Sequence, residues 1–145
     1  MRILLPQEAY DILDQHTHAC WPEEACALLI GKRSEMREIS ISRVALAKNV
    51  AQDRERYFEV DPRVRISLEK ELRGKPEELV GLYHSHPEGP AAPSKTDEGM
   101  IYEKDLCWLI ASGGDVGIRE VKGYLPAPET GFTEAELSIG LNGEK

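Results

Sequence analysis

The spacing of apolar positions changes period several times along the chain, and each change marks an element. Residues 2–5 are a short apolar run that predicts a brief edge strand. After Pro6, the residues Ala9, Ile12, Leu13 and His16 stand at i, i+3, i+4 and i+7, the spacing of one helix face. Pro22 ends that helix, because a proline ring removes a donor and clashes with the preceding turn. Residues 24–31 are apolar apart from the leading Glu24 and predict a buried strand, with a turn over 31–34. Residues 37–47 alternate, with Ile39, Ile41, Val44 and Leu46 apolar. The phase slips between Ile41 and Val44, which is what a β-bulge does to an alternating pattern. Residues 49–56 are polar and predict a loop.

Asp61-Pro62 pairs an N-cap residue with the best first residue of a helix, and Val64, Leu68 and Leu72 carry helical spacing on to Gly74. Residues 79–86 predict another buried strand, and Ser94-Lys95-Thr96-Asp97 predicts another capped helix start. Residues 107–111 are apolar strand, 112–115 a turn, 116–124 the returning strand, and 137–141 a last short strand. These elements imply an α/β fold, a curved mixed sheet flanked by helices, in one domain over residues 1–145.

Composition narrows the function. Acidic residues outnumber basic ones 26 to 18, a net charge of −8. The densest basic cluster, Arg63, Arg65, Lys70, Arg73 and Lys75, is interleaved with Glu69 and Glu71 on one predicted helix. It reads as a solvated face and not as a nucleic-acid footprint. No apolar run is long enough for a membrane span, and the N-terminal apolar run is too short for a signal peptide, so a cytoplasmic protein is expected. The three cysteines, Cys20, Cys26 and Cys107, form no Cys-x-x-Cys, which argues against a disulfide framework or a thiolate zinc site.

The candidate chemistry lies in His84-Ser85-His86-Pro87, with Ser94 and Asp97 following. On a strand, residues i and i+2 face the same side, so both imidazoles can reach one metal. A later carboxylate can complete a three-ligand zinc site with the fourth position open, the catalytic pattern. His16-Thr17-His18 has the same spacing but falls on a helix, where i and i+2 diverge, and is expected to be structural. A zinc hydrolase also needs a general base. Glu23 and Glu24 are the candidates, and Glu24, at the head of an apolar run, is the one whose burial needs a reason. Pro87, Pro90 and Pro93 would stiffen the loop beside such a site.

Together these residues resemble the JAMM (MPN+) zinc metalloprotease family. The likeness rests on Glu24-Ala25-Cys26-Ala27-Leu28-Leu29-Ile30-Gly31, on His84-Ser85-His86-Pro87, and on Ser94 and Asp97 in register behind them. It extends to Asn49 and to Tyr57-Phe58-Glu59-Val60-Asp61-Pro62, and it selects Glu24 over Glu23. The resemblance implies a cytidine-deaminase-like α/β fold and one zinc held by His84, His86 and Asp97, with water as fourth ligand. It implies Glu24 as general base and acid, and Ser94 as donor to the oxyanion. The implied reaction is cleavage of a peptide or isopeptide bond after the C-terminal Gly-Gly of a ubiquitin-like or sulfur-carrier protein. An amino-acid adduct (cysteine, for example) or a C-terminal tail would be released. Without the insertions of the large eukaryotic members, the chain resembles the short bacterial branch of the family. Two positions depart from the pattern: Ala27 replaces a glycine and would narrow the space beside the base, and Leu82 replaces a tryptophan. The competing expectations are a catalytically inactive MPN-type interaction scaffold, or a nucleobase deaminase. The latter would require a Pro-Cys-x-x-Cys that this chain lacks.

Overall fold

The structure is a computed structural model and describes residues 1–34, 37–127 and 131–140. Seven strands and three helices are found among these residues, in the order β1 (Arg2–Leu5), α1 (Gln7–Cys20), β2 (Cys26–Ser34), β3 (Glu38–Ala47), α2 (Pro62–Leu72), β4 (Glu78–His86), α3 (Lys95–Glu98), β5 (Cys107–Gly113), β6 (Ile118–Ala127) and β7 (Gly131–Ile139). The strands close on themselves in the order β1-β3-β2-β4-β5-β6-β7. Three pairings are parallel, β1 with β3, β1 with β7 and β4 with β5, and the remainder are antiparallel.

Closure corrects one expectation. Residues 2–5 are not an edge strand, because β1 is hydrogen-bonded on both sides and seals the sheet. A four-residue run is too short to reveal a second partner, since only the tertiary fold supplies β7. The turn expected over 31–34 is also displaced, because β2 continues to Ser34 opposite β3. The predicted phase slip is a real register shift: Ile30 faces Arg43 and Gly31 faces Ile41, leaving Ser42 as the extra residue. Gly31 needs its missing side chain, since a Cβ there would lie 2.0 Å from the Ser40 carbonyl oxygen. The last strand begins at Gly131, six residues earlier than expected, and its expected end at Leu141 lies outside the described residues.

The two faces of the sheet have different duties. Inward-facing Ile3, Leu5, Ala27, Leu29, Ile39, Ile41, Tyr83 and Leu109 form the main core with Ala9 and Leu13 of α1. The opposite face of β2, β4 and β5 carries Cys26, Trp108 and Ile110, packed with Phe58, and it is on this face that His84 sits. Alternation along β2 puts Ala27 inward, beside Tyr83 in register. Its methyl group therefore fills the main core and does not narrow the space beside Glu24, contrary to the sequence expectation.

Candidate metal centre and cleft

His84 and His86 end β4 on the same face, as their strand spacing predicts. Their Nε2 atoms lie 3.0 Å apart. Asp97 meets both: Oδ1 is 3.2 Å from Nε2 of His84, and Oδ2 is 3.2 Å from Nε2 of His86. All three side chains are buried. Glu24 joins the group, with one ligand atom from each of Glu24, His84 and His86 within 4.8 Å of one another.

Local structure aims each group. Asp97 stands in the first turn of α3, where a reciprocal cap is complete. The Asp97 N–H donates to Ser94 Oγ at 3.0 Å, and the Ser94 N–H donates to Asp97 Oδ2 at 2.9 Å. The cap fixes where the carboxylate points. His86 Nδ1 lies 2.9 Å from the carbonyl oxygen of Pro90 and donates to it. In a neutral ring this leaves Nε2 as a lone pair facing the cluster. Tyr124 Oη donates to the Ala91 carbonyl at 2.8 Å, so the proline-rich loop is pinned twice.

His84 is held differently. Its Nδ1 is buried without a hydrogen-bond partner, and its ring stacks on Phe58 with centroids 4.2 Å apart. Trp108 closes a third side edge-on at 5.5 Å. Packing thus does for His84 what a second hydrogen bond does for most metal-binding histidines.

Glu24 precedes β2 and is not part of it. Its N–H donates to the Arg54 carbonyl at 2.7 Å, and its carbonyl accepts from Asn49 Nδ2 at 2.9 Å. The next residue is tied to β4: Ala25 N–H donates to Ser85 Oγ at 2.9 Å, and Ser85 N–H to the Ala25 carbonyl at 3.0 Å. Ser85, Phe58 and the hydrogen-bonding role of Asn49 escaped sequence reasoning. Ser85 was legible only as the spacer between the histidines, although alternation already turns it to the other face.

Electrostatics follow from burial and proximity. Burial pushes the Glu24 carboxyl up to about 8, with Asp97 and Asp53 adding to the rise and His86 opposing it. Burial lowers the His84 pKa against the pull of Asp97. Burial would also lower that of His86, but Asp97, the Pro90 carbonyl and Glu24 together raise it. Burial opposes ionisation of Asp97, yet both imidazoles and the Ser94 N–H hold its carboxyl well below the usual range.

The donor set suits zinc. Donors at ~2.0–2.1 Å from a tetrahedral zinc stand roughly 3.3–3.4 Å apart. The two Nε2 atoms stand 3.0 Å apart, near that spacing, and each has its own Asp97 oxygen at 3.2 Å. A lone pair of His86 facing a carboxylate is moreover a repulsive arrangement unless a cation or a proton lies between them. Beside the cluster opens a cleft of about 510 Å³, lined by Glu24, Arg56, Tyr57, His86, Pro87 and Ser94 among others.

Residues 6–122 match the family model described as prokaryotic homologs of the JAB domain. The chain is a prokaryotic JAB protein of the JAMM-type peptidase family. It is 32% identical over 121 residues to a desampylase of Haloferax volcanii, covering 83% of this chain and 79% of that one. A CysO-cysteine peptidase of Mycobacterium tuberculosis is 26% identical over 110 residues, covering 75% and 72%. Among solved structures, a protein of Desulfitobacterium hafniense superposes with a TM-score of 0.80 at 28% identity, covering 96% of this chain and 92% of that one. No helix among the described residues of this JAB protein is long and apolar enough to cross a membrane.

The histidine pair on α1 has no part in the cluster. His16 Nε2 meets the Cys26 carbonyl at 3.1 Å, and His18 Nδ1 meets the Gly114 carbonyl at 3.0 Å.

Proposed function

We propose that this JAB protein is a zinc hydrolase that cuts the peptide or isopeptide bond after the C-terminal Gly-Gly of a ubiquitin-like sulfur-carrier protein. The observation that carries the proposal is the convergence of His84, His86 and Asp97, with Glu24 buried beside them, at the wall of an open cleft. Relatives named desampylase and CysO-cysteine peptidase support this substrate class. A glycine tail fits the site physically, because an extended backbone without side chains can approach buried donors closely.

In this assignment His84, His86 and Asp97 hold zinc. When bound, zinc supplies Lewis acidity toward the scissile carbonyl and lowers the pKa of water toward ~7. Glu24 accepts the proton of the attacking water as its oxygen adds to the carbonyl carbon. It then delivers that proton to the amine as the C–N bond breaks. Burial raises the Glu24 carboxyl to about 8, so near neutral pH it holds a proton readily, and a cation on the neighbouring donors would oppose that rise. Ser94 Oγ accepts from Asp97 N–H, which leaves its own hydrogen free to donate to the oxyanion from the cleft wall.

The test is a cleavage assay on zinc-reconstituted protein. The substrate is a small ubiquitin-fold carrier ending in Gly-Gly followed by one amino acid or by a short tail, read by mass spectrometry. Release of the intact Gly-Gly carrier is expected, and no cleavage of either form would overturn the proposal. In the same assay Ser94→Ala should lower kcat by about 10²–10³-fold. It should also cost ~0.5–2 kcal/mol of stability as a lost cap. An unchanged kcat would leave Ser94 as a cap alone.

A further inference from the structure

Asn49 is buried and serves five backbone groups. Nδ2 donates to the carbonyls of Glu24 at 2.9 Å and Tyr57 at 3.0 Å, with that of Arg54 farther off at 3.4 Å. Oδ1 accepts from the N–H groups of Ala51 and Glu59, each at 3.0 Å. The two ends of the amide are not interchangeable. Every carbonyl meets the nitrogen and every N–H meets the oxygen, so the network itself sets the orientation.

The partners of Asn49 belong to two functional parts. One is the residue that carries the general base. The other is the loop over residues 50–59, whose Glu55, Arg56 and Tyr57 line the cleft. Around Asn49 the same two parts are joined again by Glu24 N–H on the Arg54 carbonyl at 2.7 Å, and Arg54 Nε also meets Oε2 of the adjoining Glu23 at 3.1 Å. Glu24 precedes the first residue of β2, so its backbone depends on this loop and not on a ladder partner.

We infer that Asn49 is a positioning residue that locks the Glu24 backbone to the substrate-facing loop, so that base and cleft wall form one rigid unit. The oxygen of Asn49 orders the loop, and its nitrogen holds the base. The inference rests on the assignment of Glu24 as base.

The two ends can be separated. Asn49→Asp keeps an acceptor for Ala51 and Glu59 but sets a carboxylate oxygen against the Glu24 and Tyr57 carbonyls. Asn49→Ser is too short to serve either end. Both zinc-loaded variants are assayed on the cleavable carrier beside wild type and Glu24→Gln, and amide exchange is followed on all four without substrate. In Asn49→Asp, kcat should fall about 10²-fold, the cost of a small misplacement of a reacting group. KM should stay within about twofold, zinc content should be unchanged, and the Ala51 and Glu59 amides should remain protected. In Asn49→Ser the same kcat loss should come with loss of protection at those two amides. Wild-type kcat in a folded Asn49→Asp protein would overturn the inference. So would failure of both variants to fold, which would make Asn49 a support of the whole fold. Full activity in Glu24→Gln would instead overturn the assignment of the base, a separable outcome.

Discussion

Two His-x-His pairs in one chain reach opposite ends. His84 and His86 bring their Nε2 atoms to 3.0 Å from each other, while His16 and His18 bond carbonyls of two different segments, Cys26 and Gly114. The spacing is identical, so the difference is the period of the backbone. Two residues along a strand return to the same face, whereas two along a helix turn through roughly 200°. The helical pair is put to use all the same: it ties α1 to the start of β2 and to the β5–β6 turn. In that turn Gly114 adopts φ 134 and leaves no room for a Cβ against Trp21.

The sharpest way to break the comparison is to remove one ring from the strand pair. His86→Ala should abolish both zinc retention after reconstitution and turnover, since two remaining donors do not make a three-ligand site. Metal analysis beside the cleavage assay checks this, and retention of about one zinc per chain would place the ligands elsewhere.

Next in size is Glu24→Gln. Turnover should fall about 10²–10⁴-fold with the zinc kept. Loss of zinc would make Glu24 a ligand, an option its place in the 4.8 Å grouping leaves chemically open. The same variant has a metal-free signature. The folded pKa of Glu24, about 8, lies above its ordinary 4.5, so its contribution to stability is full below about 4.5 and is lost as pH rises through about 8. Thermal melts of metal-free protein between these limits should slope downward in wild type and less steeply in Glu24→Gln. Equal slopes would refute a buried titration.

A smaller effect tests why the two strand histidines differ from each other. Phe58→Leu removes the ring stacked on His84, whose Nδ1 has no hydrogen bond to hold it. Zinc affinity should drop about 10–100-fold, as for other lost supports of a metal ligand. A competitive chelator titration reads this directly, and an unchanged affinity would show that burial alone orients the ring. Smallest of all, His16→Ala or His18→Ala should leave zinc and kcat intact. Each should cost about 0.5–1.5 kcal/mol in chemical denaturation, the worth of one hydrogen bond. Zinc loss in either would erase the contrast between the pairs.

Much of the centre was legible in the linear pattern. The strand spacing of His84 and His86, the cap at Ser94 and the first-turn position of Asp97 all rest on local rules. So does the bulge at Ser42, which shows as a phase slip. Glu24 was picked out by its charge at the head of an apolar run, but the predicted strand began two residues too early, since β2 starts at Cys26. Its backbone bonds go to the 50–59 loop, a pairing that no local pattern encodes. The same limit hid Ser85, whose hydroxyl accepts from the Ala25 N–H just ahead of β2, and the stacking role of Phe58, which lies between the polar loop and Asp61-Pro62.

By itself, then, the sequence determined the identity and local aim of the donors: which residues share a face, where helices begin, which carboxylate stands at a capped turn. These depend on backbone period and capping, which act over a few residues. The tertiary structure decided that β1 closes the sheet, that Ala27 turns inward, and that the Glu24 backbone is held by Asn49 and Arg54. These depend on contacts between segments far apart in the chain. The choice among possible partners is settled only when burial requires every polar group to find one.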